Sequence, residues 1–457
     1  MVHITALPSE LLTLIVSYVD PSSWKNLRQT CRLLSYFTAQ LLFETLKLYP
    51  TQDSYEIMDE ILNGSTLEDA VKKVYINTRE HPYDSDDEEE ASFPREFENR
   101  IPRLKTLSKV QNAVLQFDKR CGLSRHHWIT KPPQTVVFRK KALGVFFEWL
   151  ASLEVPLQSL GIQHLQDINI KDDEISDRIT KALRNLRSLR LSIVSEHNTA
   201  TTEDPRELWD QDRFGLFPES QSFFTKLPSV WLKPTASSLE HLTLFCDTWF
   251  GFRPKLELGK VHFPHLKSLV LGNFTFFRDS QLEWILSHGA TLSELSLDDC
   301  MILYDLCLFE DKLRQYSFNK DEMELRLEDD EEAGYGYYRS YNKRWHHYFD
   351  AFRTRLPRLR QFRIGTSDWT HGVPFETESE MRIGLLDERY GVFYDGWVPT
   401  PYVEVSYWPE PWERGPPNCN KEDRKSLRLL FDHIGQEVEE SWTLHGIRVK
   451  NLIEVRS

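Results

Sequence analysis

The sequence predicts a mixed α/β chain (α+β overall): three short N-terminal helices, an irregular solenoid of strand-plus-helix repeats with insertions, and a C-terminal cap. Three observations predict it. A proline-led apolar stripe opens the chain, the spacing L-x-x-L-x-L recurs through its middle, and Trp, Tyr and Pro crowd its tail.

Length and composition set the bounds. At 457 residues the chain has room for several domains, or for one small module joined to an elongated array. Hydrophobic residues at 40% and aromatics at 12% supply a globular core. A formal charge of −14 argues against general affinity for nucleic-acid phosphates and for anionic membrane surfaces. No run approaches the roughly 18 apolar residues of a membrane span. The start has no basic region and no small-residue cleavage site, and Glu10 interrupts it, so it does not read as a secretory signal. Cys31, Cys121, Cys246, Cys300, Cys307 and Cys419 show no CxxC spacing. Isolated cysteines of this kind are expected to be reduced thiols, and the expected location is cytoplasmic, nuclear or both.

The first element follows from Leu7, Leu11, Ile15 and Val19, four apart, which make one apolar stripe of a short helix. Pro8 suits a first helical turn. Asp20-Pro21-Ser22 ends that helix and caps the next. Trp24, Leu27 and Cys31 recur at three and four in the second, and Phe37, Leu41, Leu42, Leu46 and Leu48 load a third. So small a helical set buries little core, which leaves apolar surface for a second partner. The plain alternative is a helical hairpin packed on its own domain.

These residues resemble an F-box. The family pattern opens Leu-Pro-x-Glu-(Leu/Ile), passes an Asp-Pro-like break, and continues with Leu, Arg, Cys and Arg. Here Leu7, Pro8, Glu10, Leu11, Leu12, Ile15, Asp20, Pro21, Leu27, Arg28, Cys31 and Arg32 occupy those places. The resemblance covers about a tenth of the chain. It implies docking onto the Skp-type adaptor of a Skp–cullin–F-box ubiquitin ligase, and through it a cullin. Resemblance and apolar exposure together nominate Leu7, Pro8, Leu11, Leu12, Ile15, Leu27 and Cys31 as adaptor-binding.

Residues 1–48 are therefore read as an F-box-like helical domain. Residues 49–80 form a helical connector with Ile57, Ile61, Leu62, Leu67, Val71 and Val74 as its apolar set, and 81–97 an acidic disordered linker. Within that linker Ser85, followed by acidic residues, is either part of a solvated loop or a site for an acidophilic kinase.

From 98 to 370 the motif L-x-x-L-x-L starts at Leu157, Leu186, Leu239, Leu266 and Leu292, and in drifted form at Leu359. Most intervals are one or two multiples of about 27 residues, within the leucine-rich-repeat range. Between motifs, Ser176 is placed to cap a helix carrying Ile179 and Leu183. Ser280 with Glu283 forms a capping box ahead of Trp284, and Gly289 closes that helix. The unit running to Cys300 and Ile302 resembles the cysteine-containing leucine-rich repeats that often follow an F-box, with Cys300 a small spacer in the core. One strand-plus-helix unit cannot cover its own apolar face, so successive units stack.

Residues between the inward leucines then form an outward row on a concave wall. The target-binding candidates on it are Arg190, His241, Thr243, Phe245, Ser268, Glu294, Ser296, Asp298 and Arg363. Insertions near 195–235 and 310–350 break the period, and insertions map to loops at one rim, often the binding rim. Residues 371–457 read as an aromatic and Pro-rich cap or, alternatively, an aromatic ligand groove. That segment includes a helix over 421–440 on Leu427, Leu430, Phe431 and Ile434, and a last strand through Ile447, Val449, Leu452, Ile453 and Val455.

Catalytic signatures are missing from the sequence. Gly334-Tyr335-Gly336 lacks the third glycine of a nucleotide loop, there is no HExxH and no G-x-S-x-G, and His126-His127 and His346-His347 are adjacent pairs that chelate poorly. No catalytic residue, metal or cofactor is expected. The expected function is substrate recognition within the ligase, with an unidentified protein target, no nucleic acid and no membrane as partner. The rival is a repeat scaffold acting outside ubiquitin transfer. An enzyme would require a buried titratable cluster in a pocket.

Overall fold

The computed structural model of the chain describes residues 4, 7–64, 67–79, 92–119, 121–122, 134–195, 218–314, 316, 318–327, 335–367, 375, 381–386, 389–394, 402–404, 417–437 and 443–444. It divides into two compact units, Met1–His164 with Ile170–Ser188, and Leu165–Asn169 with Leu189–Ser457. Among the described residues are eleven α-helices and one large open sheet, and no helix is long and apolar enough to cross a membrane.

The first unit opens with α1 (Ser9–Ser17), α2 (Trp24–Arg28) and α3 (Arg32–Leu42). It continues through β1 (Thr45–Leu48), α4 (Gln52–Asn63), β2 (Lys73–Asn77), α5 (Arg95–Arg100) and β3 (Asn112–Gln116). A two-residue pair, β4 (Cys121–Gly122) and β5 (Gln134–Thr135), precedes α6 (Val136–Ala151), β6 (Ser159–Gln166) and α7 (Asp173–Leu183). Strands β1, β2, β3 and β6 run parallel, with Leu46, Val74, Ala113 and Leu160 in one row and Leu48, Ile76, Leu115 and Ile162 in the next. All eight side chains are at most 1% exposed. Residues two apart in a strand share a face, so these two rows are the buried seam of the sheet.

That sheet corrects three sequence expectations. Leu46 and Leu48 do not extend a third helix, because α3 ends at Leu42 and the two leucines alternate inward along β1. The stretch expected to be a helical connector holds α4 and then β2, and Ile57 on α4 is 51% exposed. The repeating strands begin at residue 45 rather than after 98. Phe43/Leu46/Leu48, Val71/Val74/Ile76 and Val110/Ala113/Leu115 keep the spacing of the later motif with other apolar residues in leucine's place. The acidic run with Ser85 lies outside the described residues. Helix α7 is capped by Asp172, whose carboxylate accepts the Ile175 N–H at 3.2 Å, and not by Ser176.

The second unit carries β7 (Ser188–Val194), α8 (Pro218–Leu227), β8 (His241–Phe250), β9 (Ser268–Phe276), α9 (Asp279–Leu286) and β10 (Glu294–Asp298). Then follow β11 (Met301–Leu308), β12 (Glu324–Leu327), β13 (Tyr335–Ser340), α10 (Trp345–Arg355) and β14 (Gln361–Thr366). Strands β8, β9, β10 and β14 are parallel; Leu242, Leu269, Leu295 and Phe362 align, as do Leu244, Leu271, Leu297 and Ile364. All eight are buried. Cys300 is buried beside this seam and donates to the carbonyls of Leu271 (3.3 Å) and Asp298 (3.5 Å). Helix α9 is capped by Gln281, whose Oε1 accepts the N–H groups of Phe277 (2.7 Å) and Arg278 (2.9 Å), so the expected Ser280/Glu283 box is not the cap.

The tail contributes β15 (Arg382–Ile383), β16 (Leu385–Leu386), β17 (Tyr390–Tyr394), β18 (Tyr402–Glu404), α11 (Asn420–Ile434) and β19 (Thr443–Leu444). A cap lying flat on the array was expected. Instead β17 runs parallel to β11, which branches from the large sheet by pairing with β9, with β13 antiparallel on β11 and β18 antiparallel on β17. Short pairings of β14 with β15 and of β16 with β19 finish the edge. Trp249, Phe252, Leu303, Leu306, Tyr316, Tyr337, Phe393 and Tyr402 share one buried cluster, so the insertion and the tail complete a single aromatic core. The insertion near 310–350 contains the strand Tyr335–Ser340 and the start of α10 at Trp345 rather than a loop alone. Leu427, Leu430 and Phe431 form the buried face of α11, as the spacing predicts. His126-His127, most of the Trp/Pro stretch, the final strand and Gly334 fall outside the described residues.

One buried group makes this unit acid-sensitive. His288, 1% exposed, donates from Nδ1 to the Trp284 carbonyl (2.8 Å) and accepts the Phe263 N–H at Nε2 (3.2 Å). Burial, with the nearby His262, lowers its pKa from 6.5 to about 4. The folded state thus holds His288 neutral where the unfolded chain protonates, so stability is full above about pH 6.5 and is lost as pH falls toward 4. Between pH 7.5 and 5 this one group is expected to cost roughly 2 kcal/mol. Urea midpoints measured across that range should fall more steeply for the native chain than for His288→Gln; parallel curves would show that His288 is not the sensor.

A candidate protein-docking interface

In α1–α3 the sequence places two apolar stripes on one short helix, and packing decides which of them turns inward. Leu12 and Val16, four apart on α1, meet Leu34 and Phe37 of α3 in a small buried cluster, with Leu7, Leu27 and Leu41 packed partly against it. Trp24 locks the corner by donating its indole N–H to the Val16 carbonyl at 3.1 Å. Asp20 accepts the Ser22 N–H at 2.8 Å and also holds the Ser22 hydroxyl, which lowers the Asp20 pKa.

The second stripe stays open. Leu11 (46%), Leu14 (50%), Ile15 (38%) and Tyr18 (84% exposed) stand at i, i+3, i+4 and i+7, so they line one face of α1. Leu33 and Tyr36 on α3 are also exposed. Of the seven nominated residues, Pro8, Leu11, Ile15 and Cys31 are exposed and Leu7 and Leu27 half-buried. Leu12 departs from the expectation: at 1% exposure it belongs to the core of the module and is closed to a partner. Leu14 and Tyr18 were missed, although their spacing of three and seven residues from Leu11 was readable. An isolated exposed leucine needs no explanation, whereas a ridge of four along two helix turns marks an interaction surface.

The second set of candidates, on the outward rows of the second unit, is more closed than its sequence suggests. Arg190, His241, Phe245 and Arg363 are half-buried and Glu294 is exposed. Thr243, Ser268, Ser296 and Asp298 are buried, a correction to their nomination as target contacts. The rows run His241–Ser268–Glu294, Thr243–Val270–Ser296–Arg363 and Phe245–Gly272–Asp298. Neighbours in these rows satisfy one another. His241 Nε2 and the Thr243 hydroxyl lie 2.9 Å apart, Arg363 donates to Ser296 at 3.3 Å, and the Asp298 carboxylate accepts the Ser367 N–H at 3.0 Å. The Phe245 ring covers Gly272, where a Cβ would approach it to 2.5 Å. What remains reachable is a strip of Arg190, His241, Phe245, Glu294 and Arg363.

A third constellation was not anticipated. Asp423 on α11, fully buried, accepts from Arg389 Nε (3.1 Å), the Tyr390 hydroxyl (2.8 Å), the His346 N–H (3.0 Å) and His346 Nδ1 (2.9 Å). Cys419 lies 3.6 Å from the same carboxylate, and burial raises the pKa of its thiol. Burial and then the Asp423 charge also raise that of Tyr390. Donor atoms of His346, Cys419 and Asp423 lie within 4.8 Å of one another, a metal-like grouping. The guanidinium and phenol already fill the carboxylate, however, so the cluster is a clasp joining α10, β17 and α11. Three chain segments far apart in sequence build it, which is why no local spacing foretold it.

The chain thus carries a small helical module with an unfilled apolar ridge, the form of a docking module. Residues 4–47 match the family model for F-box-like domains. That domain supports an F-box protein and suggests a role in assembly of a Skp–cullin–F-box type ubiquitin ligase; such domains typically bind Skp1-type adaptors. A search of curated proteins gave no match.

Proposed function

We propose that this chain is the substrate-recognition subunit of a Skp–cullin–F-box ubiquitin ligase, acting in the cytoplasm or nucleus and catalysing nothing itself. The observation that carries the reading is the open ridge Leu11/Leu14/Ile15/Tyr18 on a module that matches the F-box-like family. The ridge docks the Skp-type adaptor, which links to a cullin. The parallel strands, read as an irregular leucine-rich-repeat solenoid, hold a protein target through the strip around Arg190, His241, Phe245, Glu294 and Arg363. The mechanism is placement: fixing a target near the transfer centre raises the effective concentration of its lysines there.

The test is reconstitution of the full chain with a Skp-type adaptor and a cullin, followed by size-exclusion chromatography. A stable three-way complex is expected. A chain that leaves the adaptor in a separate peak, under conditions where another F-box protein captures it, overturns the reading. A complex with adaptor but without cullin would favour a scaffold outside ubiquitin transfer. Substitutions on α1 are preferable to deleting residues 1–48, because that deletion also removes β1 from the sheet.

A further inference from the structure

A cavity of about 270 Å³ lies in the second unit between the loop 251–260 and the first turn of α9. Its shape depends on Gly251 (φ +110°), where a Cβ would come within 2.8 Å of the Phe274 ring and the Thr275 carbonyl. The floor is apolar, formed by the buried side chains of Leu271, Phe274, Phe276 and Ile285. The rim is cationic: Lys255, Lys260 and Arg278 face one carboxylate, Glu257, in a chain whose net charge is −14. Lys255 and then Lys260 (2.7 Å) hold the Glu257 pKa at about 2, so it stays ionised.

Arg278 supplies the decisive detail. Its Nη2 donates to the Tyr316 carbonyl at 2.5 Å and its guanidinium lies 4.9 Å from the centre of the Phe318 ring. No carboxylate among the described residues reaches ion-pair distance from it. Burial disfavours its charge, and the Glu257 and Glu322 carboxylates, which act on it from beyond ion-pair distance, offset only part of that cost.

We propose that this cavity binds a small organic anion: a carboxylate carried on a single ring or short hydrocarbon chain. The volume falls just below the roughly 300–1,000 Å³ of sites for drug-sized ligands, which sets the size. An inorganic anion would pair Arg278 but leave the apolar floor against water. A neutral hydrocarbon would cover the floor and leave Arg278 only partly compensated. Only a ligand with both parts completes the site, its carboxylate toward Arg278 and Lys260 and its hydrocarbon over Phe274 and Ile285. The site stands apart from adaptor docking, and a chain that binds adaptor but no anion loses this inference alone.

Ligand-observed NMR on the full chain tests it with phenylacetate, 2-phenylethanol and sulfate as probes. Phenylacetate is expected to bind saturably and at least about tenfold tighter than the alcohol, a difference of about 1.4 kcal/mol, and sulfate at equal concentration should not displace it. Arg278→Gln should erase the preference for acid over alcohol, and Lys260→Glu, at an exposed position, should weaken phenylacetate several-fold. Because Arg278 also holds the Tyr316 carbonyl, the acid-to-alcohol ratio of the unsubstituted chain decides independently of that variant. Equal binding of the two, displacement by sulfate, or no saturable binding of phenylacetate overturns the proposal.

Discussion

Replacing Leu11 and Ile15 together by aspartate is expected to abolish capture of a Skp-type adaptor while leaving the melting temperature of the chain nearly unchanged. Both side chains are largely open in the free chain, at 46% and 38% exposure, so carboxylates there remain hydrated and cost the fold little. In a complex the same carboxylates would be buried without partners, a penalty of about 1–3 kcal/mol each on protein scales, added to the lost apolar contact. The sum exceeds the roughly 2.8 kcal/mol that corresponds to a hundredfold loss of affinity. Leu12→Ala is the contrasting variant. Leu12 is buried against Val16, Leu34 and Phe37, so truncation should cost about 2–5 kcal/mol of stability and disorder the module. Adaptor binding by surface plasmon resonance, read beside circular-dichroism melts, separates the two. If Leu11→Asp/Ile15→Asp binds as the native chain does, the ridge is not the docking face.

Asp423→Ala should produce the largest loss of stability that a single substitution causes in the second unit. The carboxylate is fully buried and collects four donors, among them the guanidinium of Arg389, itself 7% exposed. Removing one member of a buried pair strands the other charge, at a cost of about 3–5 kcal/mol. Arg389 retains the Leu386 carbonyl at 3.0 Å and Asn420 Oδ1 at 3.2 Å, which places the expectation at the lower end. Trp345, whose indole donates to the Arg389 carbonyl at 3.1 Å and whose N–H donates to the Tyr390 hydroxyl at 2.8 Å, should loosen with it. Guanidinium unfolding of native, Asp423→Ala and Asp423→Asn chains measures this, with asparagine recovering part of the loss because it still accepts from Tyr390. A loss below about 1 kcal/mol for alanine would mean that the clasp does not hold α11.

How much of this was legible depended on how local each feature is. The helical module could be read because its residue types, its break and its spacing all lie within fifty positions. The buried seam from Leu160 onward could be read because leucine repeats there. The three earlier strands keep the same spacing with Phe43, Val71, Val74, Ile76, Val110 and Ala113, and a search tied to leucine passes over them even though burial asks only for an apolar side chain. On α1 the four-residue spacing found one stripe, but Leu34 and Phe37 decide which stripe is inside, and they lie across the fold. The candidate rows lie on paired strands, yet Thr243 is closed by His241 on its own strand and Ser296 and Asp298 by Arg363 and Ser367 of the neighbouring segment, and lateral pairing depends on register that periodicity alone does not supply. The Asp423 clasp assembles residues from segments far apart in the chain, and the cavity beside Arg278 exists only where the loop 251–260, β9 and α9 meet in the fold.

Only Phe43 and Glu44 separate the end of α3 from β1, and β1 is hydrogen-bonded in register to β2. A two-residue joint cannot swing like a random-coil tether, whose ends explore a volume that grows with its length. Whatever seats on α1 is therefore held at a set distance and angle from the first strands, as on a stiff bracket. Lengthening the joint with Gly/Ser residues would trade that fixed reach for a diffuse one.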